Sequence, residues 1–288
     1  MDNHRENQEL TKARGIVSMI AQQLLRSEAP PIEALKRIAD QSRQAGALDV
    51  AASLYRRIST VAPLDARAKF LERLLTTGSI IAADEAENPI RFRHLRNFLP
   101  KTIHSQILDK AIAALPDFGQ AKVFRPEEGG GIQDDVVRQG QVHKDASKFG
   151  KLFLERVGNA LMRENILSAL GVTQNAEWKY ELQLTNYGDG DFYGPHRDNS
   201  SAENAKRKIS FVYYFRRTPN SFMGGDLLLY DRVNPDSKTQ PSFTRVSPED
   251  ISIVFFPSNC VHEVTKTIVP STHPRDGRFT LNAWVLIS

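Results

Sequence analysis

Apolar residues recur at helical spacing along the first quarter of the chain. From Asn7 to about Leu75 they stand three or four positions apart, as in Leu35, Ile38 and Ala39, which places them on one face of a helix. The pattern is interrupted at Pro30 and Pro31, Gly46, Pro63 and Gly78. Because proline and glycine end or start helices, the chain is predicted to form about four helices here, joined by short turns as antiparallel pairs.

Part of this region, AGALDVAASLYRRISTVAPLDARAKFLERLL, resembles a single tetratricopeptide-like helical hairpin, with small residues where two helices approach each other. No second copy follows at a fixed period, so an ordinary amphipathic helical domain explains the pattern as well. Either interpretation predicts a small all-α domain over residues 1–87, which an acidic link from Asp84 to Asn88 joins to the rest of the chain.

Beyond residue 88 the pattern changes to short apolar segments, with helical stretches only near Thr102–Leu115 and Ser147–Leu170. From Tyr180 onward, segments rich in β-branched and aromatic residues alternate with turn-forming clusters. These segments are YELQLTNY, KISFVYYF, GDLLLYD, DISIVFFP and RFTLNAWVLI. A series of short strands predicts a sandwich or open barrel over residues 88–288.

A glycine-rich segment, RPEEGGGIQDD, runs from Arg125 to Asp135. It lacks the Lys-Ser or Lys-Thr pair of a phosphate-binding loop. The segment is therefore predicted to be a loop, either a lid over an active site or an unstructured connection.

Charge does not mark the chain as a nucleic-acid binder. Its 288 residues carry 38 Lys and Arg against 34 Asp and Glu, a net charge of +4, and the basic residues are scattered. A nucleic-acid interface concentrates them in a patch or stripe. We therefore expect no nucleic-acid partner.

The sequence also predicts a cytoplasmic protein without a membrane partner. The longest apolar runs, such as Ile251–Phe256, fall far short of the roughly 18 residues that a membrane-spanning helix needs. The polar start MDNHRENQEL has no signal-peptide core. Cys260 is the single cysteine, so no intramolecular disulfide calls for an oxidising compartment.

Three residues could bind one metal ion. His196 and Asp198 stand two positions apart in YGDGDFYGPHRDN, so their side chains point to the same side of an extended segment. His262 follows the strand DISIVFFPS and could supply a third ligand. Two imidazoles and a carboxylate on one face of an octahedron leave positions open, which suits an iron(II) oxygenase better than a closed zinc site. Taken alone, a His-x-Asp pair also fits a surface or capping arrangement.

From about Ile90 to Ser288 the chain resembles the 2-oxoglutarate-dependent oxygenases of the prolyl-4-hydroxylase type. The motifs that carry the resemblance occur in the family's order, and they are YGDGDFYGPHRDN, SFVYYF, GGDLLLY, FFPSNCVHEV and RFTLNAW. The resemblance implies a double-stranded β-helix, or jelly-roll, with flanking helices and a metal at its open mouth. Together with the N-terminal helices, this gives an α+β chain.

The resemblance also implies iron(II), 2-oxoglutarate and molecular oxygen, with ascorbate as an optional addition. His196, Asp198 and His262 would be the catalytic metal ligands, and the neighbouring Asn199 and Glu263 are candidates for the groups that orient the two imidazoles. The positions that match the family's cosubstrate-binding residues are Arg278, Tyr214, Tyr187 and Leu227.

Arg278 would hold the far carboxylate of 2-oxoglutarate. A guanidinium suits this task because its planar fork can donate two parallel hydrogen bonds to a carboxylate. Arg275 is the competitor, because the loop KTIVPSTHPRDG before Arg278 is longer than the resemblance implies. Only Arg278 opens the last apolar strand, and Thr280, two positions later on the same face, could add a hydroxyl to the site. His273, in the same loop, is expected to be exposed.

The resemblance implies hydroxylation of an unactivated C–H bond, and it favours a peptidyl or free amino-acid side chain as the substrate. A small-molecule biosynthetic hydroxylase of the same superfamily is an alternative. Nucleic-acid demethylases of this type carry a second arginine six residues beyond the first, where this chain has Trp284. The third alternative is a non-catalytic metal-binding barrel with a helical interaction domain. The partner would thus be a peptide or a small molecule.

Overall fold

The computed structural model describes residues 2–76, 89–125, 130–132, 134–143, 145–172, 178–232 and 242–287. The chain divides into two compact units, of which the first comprises Met1–Arg91 and Leu228–Val246 and the second Phe92–Leu227 and Ser247–Ser288. The predicted acidic link and the domain boundary at residues 87 and 88 lie outside the described residues. So do residues 126–129 and 133 of the glycine-rich segment.

The helices predicted for the N-terminal region are present in the first unit. They are α1 (Asp2–Arg26), α2 (Ile32–Gln44), α3 (Leu48–Val61) and α4 (Ala66–Thr76). Leu35, Ile38 and Ala39 form the buried face of α2, as their spacing predicts. Gly46 turns the chain between α2 and α3 with a φ of +80°, a conformation that glycine adopts without strain. The tetratricopeptide-like character of this region stays a prediction.

The helices of the second unit are α5 (Lys101–Ala113), α6 (Lys151–Arg163) and α7 (Ile166–Ala169). The predicted helical stretch Ser147–Leu170 is therefore broken. It opens with a 3₁₀ turn at Ser147–Phe149 and breaks again at Asn165, which adopts a left-handed φ of 56°.

Strands make up most of the remaining described residues. They are β1 (Arg93–Leu95), β2 (Phe118–Gln120), β3 (Val123–Arg125), β4 (Gly130–Ile132), β5 (Arg138–Gln139), β6 (Gln141–His143), β7 (Trp178–Tyr187), β8 (Phe192–His196), β9 (Arg207–Phe215), β10 (Met223–Gly224), β11 (Leu227–Tyr230), β12 (Phe243–Val246), β13 (Ser252–Pro257), β14 (His262–Val264), β15 (Thr267–Ile268) and β16 (Arg278–Ile287). Each of the five strand segments predicted from the sequence forms a strand.

A buried ion pair ties residues 228–246 to the helices of the first unit. Arg43 at the end of α2 is fully buried, and its guanidinium donates to both carboxylate oxygens of Asp231, at 2.9 and 2.6 Å. It also donates to the hydroxyls of Thr244 and Ser242, at 3.0 and 2.6 Å. Residues 228–246 therefore belong to the helical unit, although they lie far along the chain. The division predicted at residue 88 places them in the second domain.

The second unit is built on a large sheet with the strand order β1-β13-β9-β16-β7-β6-β2. Strand β16 lies between β7 and β9 and is antiparallel to both. A smaller sheet of this unit contains β14, β8 and β5 in that order. This mixed architecture agrees with the predicted α+β class and with a jelly-roll core.

Alternation along the strands gives the large sheet two different faces. On β16, Phe279, Leu281, Ala283 and Val285 belong to the hydrophobic core, which α5, α6 and α7 cover. Burying each large apolar side chain of this kind contributes about 1.5–3 kcal/mol. The residues between them, starting with Arg278, point to the opposite face, because successive side chains of a strand alternate. That face carries the polar groups of the candidate site.

Among the described residues, no helix combines the length and the apolar character that crossing a membrane requires.

Candidate active site

The structure brings His196, Asp198 and His262 together on the two strands β8 and β14. His196 ends β8, His262 begins β14, and the two residues are cross-strand partners. One ligand atom from each of the three side chains lies within 4.8 Å of the other two. Asp198 Oδ1 lies 3.7 Å from His196 Nε2, and its Oδ2 lies 3.5 Å from His262 Nε2. One divalent cation can therefore contact all three residues.

Backbone carbonyls orient both imidazoles. His196 Nδ1 lies 2.9 Å from the carbonyl oxygen of Gly194, and His262 Nδ1 lies 3.0 Å from that of Cys260. A carbonyl oxygen only accepts, so each Nδ1 must donate, and each Nε2 keeps its lone pair for a metal. Asn199 and Glu263, the candidates named from the sequence, are not these partners. Asn199 instead donates to the carbonyl oxygen of Arg207, at 3.4 Å.

Hydrogen bonds also fix the Asp198 carboxylate. Ser210 Oγ donates to Asp198 Oδ2 at 2.6 Å and lies 2.9 Å from Ser258 Oγ. Burial alone would raise the pKa of Asp198, but the neighbouring His262 and His196 and the Ser210 hydrogen bond outweigh it and hold the pKa below its ordinary value. The carboxylate is therefore ionised and offers an anionic ligand.

The His196 imidazole is neutral and tightly packed. Burial, reinforced by the nearby His262, lowers the pKa of His196 to about 3. The Tyr193 ring stacks on the His196 imidazole, with the two ring centres 3.6 Å apart. The Arg138 guanidinium in turn lies 4.5 Å from the centre of the Tyr193 ring. This three-layer stack limits the rotation of the imidazole and so fixes the direction of Nε2.

A cavity of about 560 Å³ opens onto these residues. Residues of the large sheet and of the smaller sheet that contains β8 and β14 line this cavity, and they include the three candidate ligands, Arg278, Tyr187 and Leu227. These residues were all predicted to belong to one site. A cavity of this size is typical of a small-molecule or cofactor site.

Arg278 lies in this cavity with the polar groups that a carboxylate would satisfy. Its side chain is 2% exposed, and its Nε is buried without a hydrogen-bond partner. The guanidinium lies 5.2 Å from the centre of the Tyr187 ring and 5.0 Å from that of Tyr214. The Tyr214 hydroxyl is near the guanidinium but makes no hydrogen bond of ordinary geometry. Burial raises the pKa of Tyr214 to about 12, so this hydroxyl keeps its proton and can donate.

Gly225, in the GGDLLLY motif, makes room for Arg278. It has a φ of +65°, and a Cβ at this position would lie 2.5 Å from Arg278 Cδ. Only glycine combines this backbone conformation with this close approach. Gly225 thus has a packing role at the basic end of the cavity.

Thr280, Arg275 and His273, which the sequence also brought into consideration, do not line the cavity. The Thr280 hydroxyl is fully buried and forms a short hydrogen bond with Thr185 on β7, to which Asn282 also donates. Its hydroxyl is therefore already engaged within the sheet. Arg275 and His273, in the loop before β16, are exposed. Of the two competing arginines, Arg278 is therefore the one that lines the cavity.

Sequence reasoning did not single out Ser210, Tyr193 or Arg138. Ser210 could have been found, since it lies on the same face of β9 as Val212 and Tyr214, at the period of two. Tyr193 and Arg138 carry no such signal, because the stack with His196 depends on the pairing of β5 with β8.

Comparison with known proteins agrees with this geometry. Residues 182–286 match the sequence profile of the 2OG-Fe(II) oxygenase superfamily. A protein of Synechocystis sp., described as an uncharacterized PKHD-type hydroxylase, is 33% identical over 205 residues, which cover 64% of this chain and 67% of that protein. The ubiquitinating enzyme SidE of Legionella pneumophila is 28% identical over 164 residues, 56% of this chain but only 10% of SidE.

Solved structures of low sequence identity also match. A prolyl-4-hydroxylase from Pseudomonas putida aligns over 74% of this chain and 99% of its own, with 17% identity and a TM-score of 0.48. A Trichoplax adhaerens prolyl hydroxylase, in complex with a hypoxia inducible factor peptide fragment, aligns over 81% and 90%, with 14% identity and a TM-score of 0.47.

Proposed function

Because the chain belongs to the 2OG-Fe(II) oxygenase superfamily, we propose that it hydroxylates an unactivated C–H bond in a peptidyl or free amino-acid side chain. It is a 2-oxoglutarate-dependent oxygenase that requires iron(II), 2-oxoglutarate and molecular oxygen. Bound iron would supply the redox chemistry of a reaction in which 2-oxoglutarate, O₂ and the substrate C–H group give succinate, carbon dioxide and the hydroxylated substrate.

In this proposal, His196, Asp198 and His262 hold the iron. The observation that carries it is the convergence of two Nε2 lone pairs and one ionised carboxylate beside a buried, positively charged pocket. The fixed Nδ1 hydrogen bonds orient both imidazoles before any metal arrives, which reduces the reorganisation that binding requires. Protein ligands on one side only leave coordination positions for a cosubstrate and oxygen.

Arg278 binds the far carboxylate of 2-oxoglutarate, and Tyr214 and Tyr187 assist it. The buried Nε of Arg278 and the hydroxyl of Tyr214 both lack hydrogen-bond partners. Leaving such groups unsatisfied costs about 1–3 kcal/mol each, and a carboxylate bound between them would remove that cost. Leu227 contributes an apolar wall that helps to exclude water from the site.

An amino-acid or peptide substrate is supported by the order and content of the five motifs, which are those of prolyl-4-hydroxylase-type enzymes. A small-molecule substrate of a biosynthetic pathway is the second candidate, because the cavity of about 560 Å³ is large enough to enclose a small metabolite beside the cosubstrate. The proposal includes a cytoplasmic setting, since the chain's single cysteine cannot form an intramolecular disulfide.

The site is tested by anaerobic titration of the full chain with 2-oxoglutarate, in which calorimetry measures the binding. We expect binding that depends on added iron(II), is abolished by His196→Ala or Asp198→Ala, and is weakened but not abolished by Arg278→Ala. Arg275→Ala is the matched control, because this arginine lies in the same loop but is exposed, and it should bind 2-oxoglutarate like the wild type.

A succinate-release screen over free amino acids and proline-containing peptides, run in air, tests the substrate class. Turnover by the His196→Ala variant would show that the metal assignment is wrong. Stimulation of succinate release by small metabolites alone, with no response to any amino acid or peptide, would reject the proposed substrate class in favour of the second candidate.

A further inference from the structure

The site cavity carries far more positive than negative charge. Among the residues that the structure describes, its walls contain the basic residues Lys122, Arg138, Arg197, Arg207 and Arg278, and one acid, Asp198. A cavity lined by one sign of charge attracts ligands of the opposite sign and raises their local concentration.

Iron(II) and 2-oxoglutarate do not remove this excess. On the proposed function, the ion and the dianion cancel each other, and the two imidazoles bind as neutral ligands. Asp198 and Arg278 likewise cancel. The positive charges at the other end of the cavity would therefore remain when the enzyme is loaded and waiting for substrate.

Not all of these charges are equally available to a ligand. Arg207 is already paired with Glu181, at 2.5 and 2.7 Å, and its guanidinium covers the Trp284 ring at 3.9 Å. Lys122 and Arg197 are exposed, so water and salt screen their charges. Arg138 is the remaining residue, and it is only 7% exposed.

Arg138 is a buried cation held by weak contacts. It donates to the carbonyl oxygen of Lys122 at 3.3 Å and to the side-chain oxygen of Gln183 at 3.2 Å, both near the long limit for a hydrogen bond. Within the part of the chain that the structure describes, no carboxylate pairs with this guanidinium. A buried charge without a counter-ion is costly, so the fold carries an unfavourable term that an anion would relieve.

The position of Arg138 relates it to the reacting centre. Its guanidinium stacks on Tyr193, which stacks on the candidate ligand His196. A single ring, that of Tyr193, therefore separates the Arg138 guanidinium from the imidazole, and all three residues line the cavity. A substrate held by Arg138 would lie in the same cavity as the three candidate metal ligands, and a guanidinium fork would fix its orientation.

We infer that the primary substrate carries an anionic group, a carboxylate or a phosphate, and that Arg138 is the residue that binds it. This inference rests on the proposed function and narrows its substrate class. An acidic side chain, a free α-carboxylate or a phosphorylated small molecule would qualify, whereas an uncharged or cationic substrate would leave Arg138 unpaired. Arg138 thus determines specificity, while Arg278 serves the cosubstrate.

The test uses the full chain loaded with Zn(II) in place of iron and with saturating 2-oxoglutarate, so that Arg278 is occupied and no turnover occurs. Two anions serve as probes, acetate and inorganic phosphate. Their binding is measured from the relaxation of the acetate methyl ¹H signal and of the phosphate ³¹P signal. Comparing the two probes distinguishes a carboxylate site from a phosphate site.

We expect at least one probe to bind the wild type and to bind Arg138→Gln about tenfold more weakly, the loss of one charge-assisted hydrogen-bond pair. Arg138→Lys should give an intermediate affinity, because it keeps the charge and loses the fork. Arg96→Gln is the matched control. It also removes one positive charge, but from a surface residue that is 52% exposed in its side chain and paired with Glu249.

The affinity for 2-oxoglutarate, measured on the same samples, separates the possible failures. If the wild type does not bind 2-oxoglutarate, the proposed function fails. If it does, and neither probe binds or both bind Arg138→Gln as well as the wild type, the inference about Arg138 is overturned. If Arg138→Gln loses 2-oxoglutarate binding, the probes are compared between Arg138→Lys and the wild type instead. The inference is overturned if Arg138→Lys binds the probes as tightly as the wild type does.

Discussion

The ion pair between Arg43 and Asp231 offers a direct test of what holds residues 228–246 in the helical unit. Arg43 is fully buried and donates to both oxygens of a carboxylate that is itself 8% exposed. Replacing it in the variant Arg43→Met keeps the apolar part of the side chain. The substitution removes the counter-ion and leaves the Asp231 charge desolvated.

The expected loss of stability follows from this burial. Breaking a buried ion pair from one side costs about 3–5 kcal/mol, because the remaining charge stays uncompensated. The hydroxyls of Ser242 and Thr244, which accept from the same guanidinium, would lose a donor as well, so we expect a loss of at least about 3 kcal/mol. The double variant Arg43→Met/Asp231→Leu removes both charges and should lie within about 1 kcal/mol of the wild type.

Urea unfolding followed by far-ultraviolet circular dichroism measures these differences, and the four variants of the cycle give the coupling energy. The control is Arg56→Met, which breaks an exposed pair with Glu72 at 2.9 Å and should cost less than about 1 kcal/mol. The reasoning would be refuted if Arg43→Met cost no more than this control. It would also be refuted if the double variant were as unstable as the single one.

Three further predictions concern the site and the effect of pH. Ser210→Ala should weaken iron(II) binding about tenfold, since it removes the hydroxyl that fixes the Asp198 carboxylate; equilibrium dialysis with unchanged affinity would contradict this. Gly225→Ala should weaken 2-oxoglutarate binding by displacing Arg278, whereas Gly15→Ala, where nothing lies within 4 Å, should not. Burial lowers the pKa of His94 from 6.5 to about 4, so the folded state resists protonation and the free energy of unfolding should fall by about 2–3 kcal/mol as the pH drops through that range. His94→Leu should flatten this dependence, and a slope equal to the wild type's would argue against it.

The secondary structure was largely accessible from the sequence, because its signals are local. The periods of 3.6 and 2 in segments such as RFTLNAWVLI belong to single elements, and the prolines and glycines between helices mark their ends. The partners of these elements are not local. Arg43 and Asp231 are separated by 188 positions, and no pattern near either residue indicates the other.

The candidate site divides in the same way. His196 and Asp198 could be paired from their spacing, and the order of the motifs pointed to His262 and Arg278. The groups that orient the imidazoles could not be predicted, because they are backbone carbonyls, which every residue has. Arg138 could not be distinguished from the other basic residues, since only the burial created by strand pairing makes its charge unusual.

Strand β16 has a consequence for how this enzyme could be altered. Its odd-numbered residues from Phe279 to Val285 supply the hydrophobic core, whereas Arg278, Asn282 and Trp284 on the opposite face line the site. Stability and substrate preference can therefore be varied independently by choosing alternate positions, and libraries aimed at new substrates should sample Asn282 and Trp284 alone. Deleting a single residue from this strand would instead exchange the two faces. The arginine would then point into the core, and apolar side chains would point toward the cofactors.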